Sequence, residues 1–121
     1  MLCECCKINF AVVKDYRSID FGDFEDIEKY LVCTLCFNLA DDAFFNLMHC
    51  NSENKKEMIK DLLLNVFKLT SISFSEFNKL SKRAKIELVN WLNFLDKKDK
   101  YKILNAIKKN DKKVYLSILK I

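Results

Sequence analysis

Proline is absent from this 121-residue chain, and glycine occurs once, at Gly22. A β-sandwich or barrel needs turn residues at short intervals, so this scarcity excludes such folds and favours helices joined by short polar links. Histidine also occurs once, at His49. A His-metal nuclease needs more than one, and Cys–His nucleophilic chemistry would rest on His49 with no third group to orient it. A single glycine cannot build a phosphate-cradling loop. The expectation is therefore a protein that is not an enzyme and takes no small-molecule substrate.

No run approaches the about 20 apolar residues needed to cross a bilayer, so no membrane partner is expected. The opening residues, Met1-Leu2-Cys3-Glu4, show neither a basic start nor a long apolar stretch, so a secretory leader is not expected either. Both point to a cytoplasmic, reducing compartment, where six cysteines are thiols or metal ligands rather than disulfides.

Arginine is scarce where positive charge is dense. Residues 51–121 carry seventeen basic side chains, sixteen of them lysine, against eight acidic ones, a net of +9. Residues 1–50 carry four basic and nine acidic side chains, a net of −5. Bidentate arginine readout is nearly unavailable, so any polyanion contact of the second half would be diffuse and salt-sensitive. Half of all residues are hydrophobic, enough for a packed core. The abundance of Lys, Asn, Ile and Phe also suits an AT-rich genome, which would supply part of the basic character by drift.

The strongest chemical signal is a pair of cysteine pairs, Cys3-x-x-Cys6 and Cys33-x-x-Cys36, separated by residues 7–32. Two residues between cysteines let both thiolates turn inward on one tight knuckle, and two knuckles supply a tetrahedral Zn2+ with four sulfurs. Such a site has no open position and serves folding rather than catalysis. Buried free thiols remain the plainer reading of the same residues. Cys5 is an alternative to Cys3 or Cys6, and His49 or Cys50 is an alternative source of a ligand.

A knuckle, a hairpin-like stretch, and then Tyr30-Leu31-Val32-Cys33-Thr34-Leu35-Cys36-Phe37-Asn38-Leu39 running into a helix resembles the treble-clef zinc fold. It is similar in type to the zinc-binding domain of Clp-family unfoldases. The likeness covers residues 1–50, and the spacing between the pairs is longer here. Treble clefs serve nucleic-acid binding, protein docking and, with added residues, nuclease chemistry, so the resemblance implies the metal more than any activity.

The expected fold is mainly α. A zinc module over 1–50 with a short hairpin ends in a helix, and a basic bundle of short helices over 51–121 packs against it. Ile8, Phe10 and Val12 alternate as in a strand, residues 14–23 read as turn material, and Asp23–Leu31 fits either a helix capped by Asp23 or a strand. The pattern predicts helices over 37–50, 53–68, 82–95, 97–109 and 112–120, with caps at Asn51 or Ser52, Ser81, Asp96 and Asp111. Ser73-x-x-Glu76 is a capping-box pattern opening a short helix. Residues 91–100 and 103–112 form a weak repeat, two copies being too few for a solenoid. Trp91, Tyr101 and Tyr115 fall on apolar stripes and read as core.

Three lysine-rich clusters fall at helix starts or links: Lys79, Lys82, Arg83 and Lys85; Lys97, Lys98, Lys100 and Lys102; and Lys108, Lys109, Lys112 and Lys113. Side-by-side helices would gather them on one edge able to meet phosphates. Two functions are open. One is a zinc-stabilised regulator that binds nucleic acid or a nucleoprotein complex through these clusters. The other is a docking adaptor or inhibitor of the phage, mobile-element or bacterial regulatory type, which binds one specific protein and no nucleic acid.

Overall fold

In the computed structural model, which describes residues 1–20, 22 and 25–121, the chain divides into two compact units, Met1–Cys50 and Asn51–Ile121. The described residues hold seven helices and one two-stranded antiparallel sheet. None of these helices is long and apolar enough to cross a membrane.

The first unit is built on a hairpin whose strands are β1 (Val13–Asp20) and β2 (Glu25–Val32). Val13 lies opposite Val32, and the register runs to Asp20 opposite Glu25. Gly22, between the strands, has φ +83°, a conformation that favours glycine. The alternating segment 8–12 forms only an isolated bridge between Leu2 and Phe10, and the strand begins at Val13 and runs through residues 14–20, which were expected to be turn material. The reason lies in the inward face of β1, which is charged. Asp15 and Arg17 are buried, whereas Tyr16 and, across the sheet, Ile27 are more than 60% exposed. Residues 25–32 take the strand alternative; the Asp23 cap and Phe24 fall outside the described residues.

The helix expected over 37–50 starts later, at Asp41. A single turn, α1 (Thr34–Phe37), is followed by a break and then α2 (Asp41–His49). Arg17 explains the break. Its guanidinium donates to the carbonyls of Cys36 (3.1 Å) and Leu39 (2.8 Å), at the end of α1 and just after it. The same group pairs with Asp15 (2.9 Å) and Asp41 (2.7 Å) and lies 3.9 Å over the Phe44 ring. Burial alone would lower its pKa, but the bonds to Asp41 and Asp15 raise it, so Arg17 stays a cation.

In the second unit, α3 (Ser52–Asp61) is capped by the Asn51 side chain and passes into a π-helical turn, Leu62–Val66. A capping box at Ser73 and Glu76 opens α4 (Phe74–Lys79), and Ser81 caps α5 (Lys82–Phe94). Two further apolar stripes follow on α6 (Lys97–Asn110) and α7 (Lys112–Leu119). The core gathers Ile59, Leu63, Leu92, Ile107 and Val114 around fully buried Trp91, which meets Phe67 edge-on at 5.7 Å. Tyr101 does not join it: it is 58% exposed, and Leu119 is nearly as open. Tyr115 is only partly covered.

The two aspartate caps differ. Asp111 accepts from the backbone N–H groups of Lys113 and Val114 and also from Phe74 N–H at 2.9 Å, so one carboxylate starts α7 and anchors the start of α4. Asp96 makes no capping bond; its carboxylate pairs with Lys56 at 2.7 Å instead. Asp111→Ala is therefore expected to destabilise the second unit by about 2 kcal/mol, from a lost cap plus a lost tertiary bond. Asp96→Ala removes an exposed ion pair and is expected to cost under about 1 kcal/mol. Urea unfolding followed by Trp91 fluorescence measures both; equal costs would refute the distinction. Arg17→Met leaves Asp15 buried without its counter-charge and is expected to cost the first unit about 3–5 kcal/mol, with Arg17→Lys recovering only part of it. Hydrogen exchange at Leu39 and Cys36 reads that loss.

Candidate metal centre and basic surface

The two knuckles meet because the hairpin returns the chain to its start. Cys3 N–H donates to Asn9 O (2.8 Å), closing the first loop, and Glu4 N–H donates to Leu31 O (2.9 Å), fixing that loop to the end of β2. Leu31 N–H returns a bond to the Glu4 carboxylate at 3.0 Å. Residue 31 is two positions before Cys33, so this reciprocal pair sets one knuckle against the other. Cys33 stands at the N-cap of α1 and Cys36 one turn on, which points both sulfurs to one side.

The four sulfurs of Cys3, Cys6, Cys33 and Cys36 lie within 4.8 Å of one another, and all four residues are fully buried. Cys6 Sγ is 3.9 Å from Cys33 Sγ. Four sulfurs at about 2.3 Å from a tetrahedral ion stand about 3.8 Å apart, so this spacing fits a metal. The donor environment fits as well. Cys6 N–H points at Cys3 Sγ (3.4 Å), Ile8 N–H at Cys6 Sγ (3.5 Å), and the buried Asn9 carboxamide at Cys33 Sγ (3.9 Å). Such N–H groups stabilise thiolate charge around a metal. Lys7, just after Cys6, takes φ +59° to aim the Ile8 N–H inward.

Thiols this close cannot ionise independently. Hydrogen bonds from Cys33, then Cys36 and Cys6, hold Cys3 far below the ordinary thiol range. The bond to Cys3 is also the main cause that pushes Cys33 and Cys36 far up. Cys6 comes to about 7: its bond to Cys3 raises it, and those with Cys33 and Cys36 outweigh that rise. A divalent cation among them would favour the thiolate at all four.

The other candidates lie outside the group. Cys5 is buried, and its thiol donates to Phe44 O at 3.3 Å. Cys50 donates to Leu47 O at 3.1 Å, and His49 stacks on Phe45. Asn9, Glu4 and Arg17 were not legible as parts of the site. The available signal was the period-two spacing of Asp15, Arg17 and Ile19.

Of the basic clusters, the structure brings Lys108, Lys109 and Lys112 together with Asn105 around one concavity of about 490 Å³. Lys113 lies over the Phe74 ring and Lys108 over Tyr115. Arg83, itself exposed, pairs with the buried Glu87 at 3.5 Å, and Lys85 lies over Phe77. Lys79, Lys82, Lys97, Lys98 and Lys102 are exposed, and Lys100 is partly covered. Four of the eight acidic groups of this unit serve elsewhere: Asp96 and Asp99 meet Lys56 and Lys60, Glu76 closes the capping box, and Asp111 caps α7. Among the described residues, no ion pair neutralises the lysines of the concavity.

No protein-family model, curated protein or solved structure matches the chain.

Cys33→Ser is expected to lower bound metal well below one ion per chain and to abolish the ordered hairpin, while the helices of 51–121 persist. Cys5→Ala and Cys50→Ser are expected to keep the metal. Metal analysis alongside hydrogen exchange checks this; full loading of Cys33→Ser would place the ligands elsewhere.

Proposed function

We propose that this is a zinc-stabilised, non-enzymatic regulatory protein that binds nucleic acid or a nucleoprotein complex through the lysine surface of α6 and α7. The observation that carries the reading is the concavity formed by Asn105, Lys108, Lys109 and Lys112, lined by ammonium groups with no acid among them. Ammonium groups on flexible stems meet phosphates as point charges and read no sequence, so the binding is general and electrostatic. Asn105 adds a carboxamide at the same place, able to hydrogen-bond phosphate or sugar oxygens.

The first unit is read as a treble-clef-like module whose ion is zinc. An all-sulfur donor set favours zinc over the oxygen-seeking divalent ions. Knuckle, hairpin and second knuckle at a helix start come in the order that type requires. The metal's part is to hold the unit folded, since four protein sulfurs leave it no open position.

Binding of a generic DNA duplex or single-stranded RNA, followed by fluorescence anisotropy, is expected at about 50 mM salt and to weaken by orders of magnitude at about 200 mM. The triple variant Lys108→Ala, Lys109→Ala, Lys112→Ala is expected to reduce the slope of log K against log salt by about 2 to 3. Absence of binding at low salt would reject the reading, as would an unchanged slope in the triple variant.

A further inference from the structure

The first unit holds a second concave surface, of opposite polarity, that the metal does not use. A cleft of about 440 Å³ opens beside α2, walled by Tyr30, Phe45 and His49, floored by Ile19, and edged by Asp41 and Asp42. Its volume lies in the range of built ligand pockets, about 300–1,000 Å³. The rings pack on one another: Tyr30 meets Phe44 at 5.4 Å and Phe45 at 6.1 Å, and His49 stacks on Phe45 at an interplanar angle of 11°.

Aromatic faces beside carboxylates select cations. The neighbouring interior shows the same chemistry in use, because Arg17 rests on the Phe44 face and bonds Asp15 and Asp41. Asp42 has no ion-pair partner among the described residues. The Tyr30 hydroxyl is pushed up first by burial and then by the charges of Glu28 and Glu4. The whole 1–50 segment carries −5.

We infer that this cleft binds an arginine or lysine side chain presented by a basic segment of a partner protein. The cation sits against Tyr30 and Phe45, with Asp42 and the outer edge of Asp41 as counter-charge. A peptide is favoured as occupant because the cleft is open and lies against the hairpin, with room for the backbone that flanks such a side chain. Joined to the proposed function, the two units address the two components of a nucleoprotein, its phosphates and its basic protein tails. The inference stands without that reading, since it uses none of the lysines.

The test titrates the metal-loaded full chain with a short Gly-Ser peptide carrying a central arginine, and with its citrulline counterpart, which keeps the shape and removes the charge. Nitrogen-proton NMR is expected to show shifts confined to Ser18, Ile19, Tyr30, Asp42, Phe45 and His49 with the arginine peptide and none with citrulline. Asp42→Asn and Phe45→Leu are each expected to weaken binding about 3-fold, with circular dichroism and metal content unchanged. The lysine triple variant of the second unit is expected to bind the peptide as well as the parent, which separates this outcome from that of the nucleic-acid reading. Equal binding of the citrulline peptide, or shifts scattered over the unit, would overturn the inference. Tighter binding of spermidine, or self-association that Asp42→Asn abolishes, would overturn it in favour of a polyamine or a second copy.

Discussion

Four buried sulfurs must reach one point, and the first unit is arranged around that requirement. Its described core holds few other apolar side chains: Val32, Leu35, Leu39, Phe44 and Leu47 are the buried ones that are not cysteine. A segment of this size rarely closes on so small a core alone, and the binding free energy of a metal held by the four sulfurs would be folding free energy. Hairpin length, the Glu4–Leu31 tie and the one-turn helix after Cys33 all act to bring two cysteine pairs distant in sequence into contact.

Arg17 carries the complementary burden. A buried cation is tolerated only where its charge and its donors are both answered. Two carboxylates answer the charge, backbone carbonyls take the remaining N–H groups, and the Phe44 ring covers the flat face. The result links β1, the end of α1 and the start of α2 through one side chain. It also fixes the carbonyls just past Cys36, so the ion pair and the sulfur cluster support each other through the same short stretch of backbone.

Legibility in the sequence followed the physics of each half. In the second unit the inward faces are apolar at helical spacing, and the capping residues Ser73, Ser81 and Asp111 stand where the helices start, so elements and most boundaries could be read directly. Asp96 sits at its cap position but gives its carboxylate to Lys56, a choice made by a residue 40 positions away. The hairpin was hidden because its pattern is inverted: the buried positions of β1 are charged, while Tyr16 and Ile27 face solvent. The cysteines were legible because two C-x-x-C pairs form a pattern in the sequence itself, and the structure gathers those four residues. Asn9 and Glu4 were not, since each acts through a loop that only the folded chain closes. The aromatic cleft was equally hidden, because Tyr30 and Phe45 come from a strand and a helix with no shared motif.

The π-helical turn at Leu62–Val66 has a consequence of a different kind. Ile59 is buried before it, Leu62 and Leu63 within it and Leu69 after it, while Asn65 and Val66 face outward. Phe67 N–H reaches back five residues to Leu62 O, rather than four. The wider turn stands where the helix ends: Lys68 follows at φ +50°, and Leu69 N–H bonds Leu63 O at 2.9 Å, so the chain leaves the helix and returns Leu69 to the interior that holds Leu62 and Leu63.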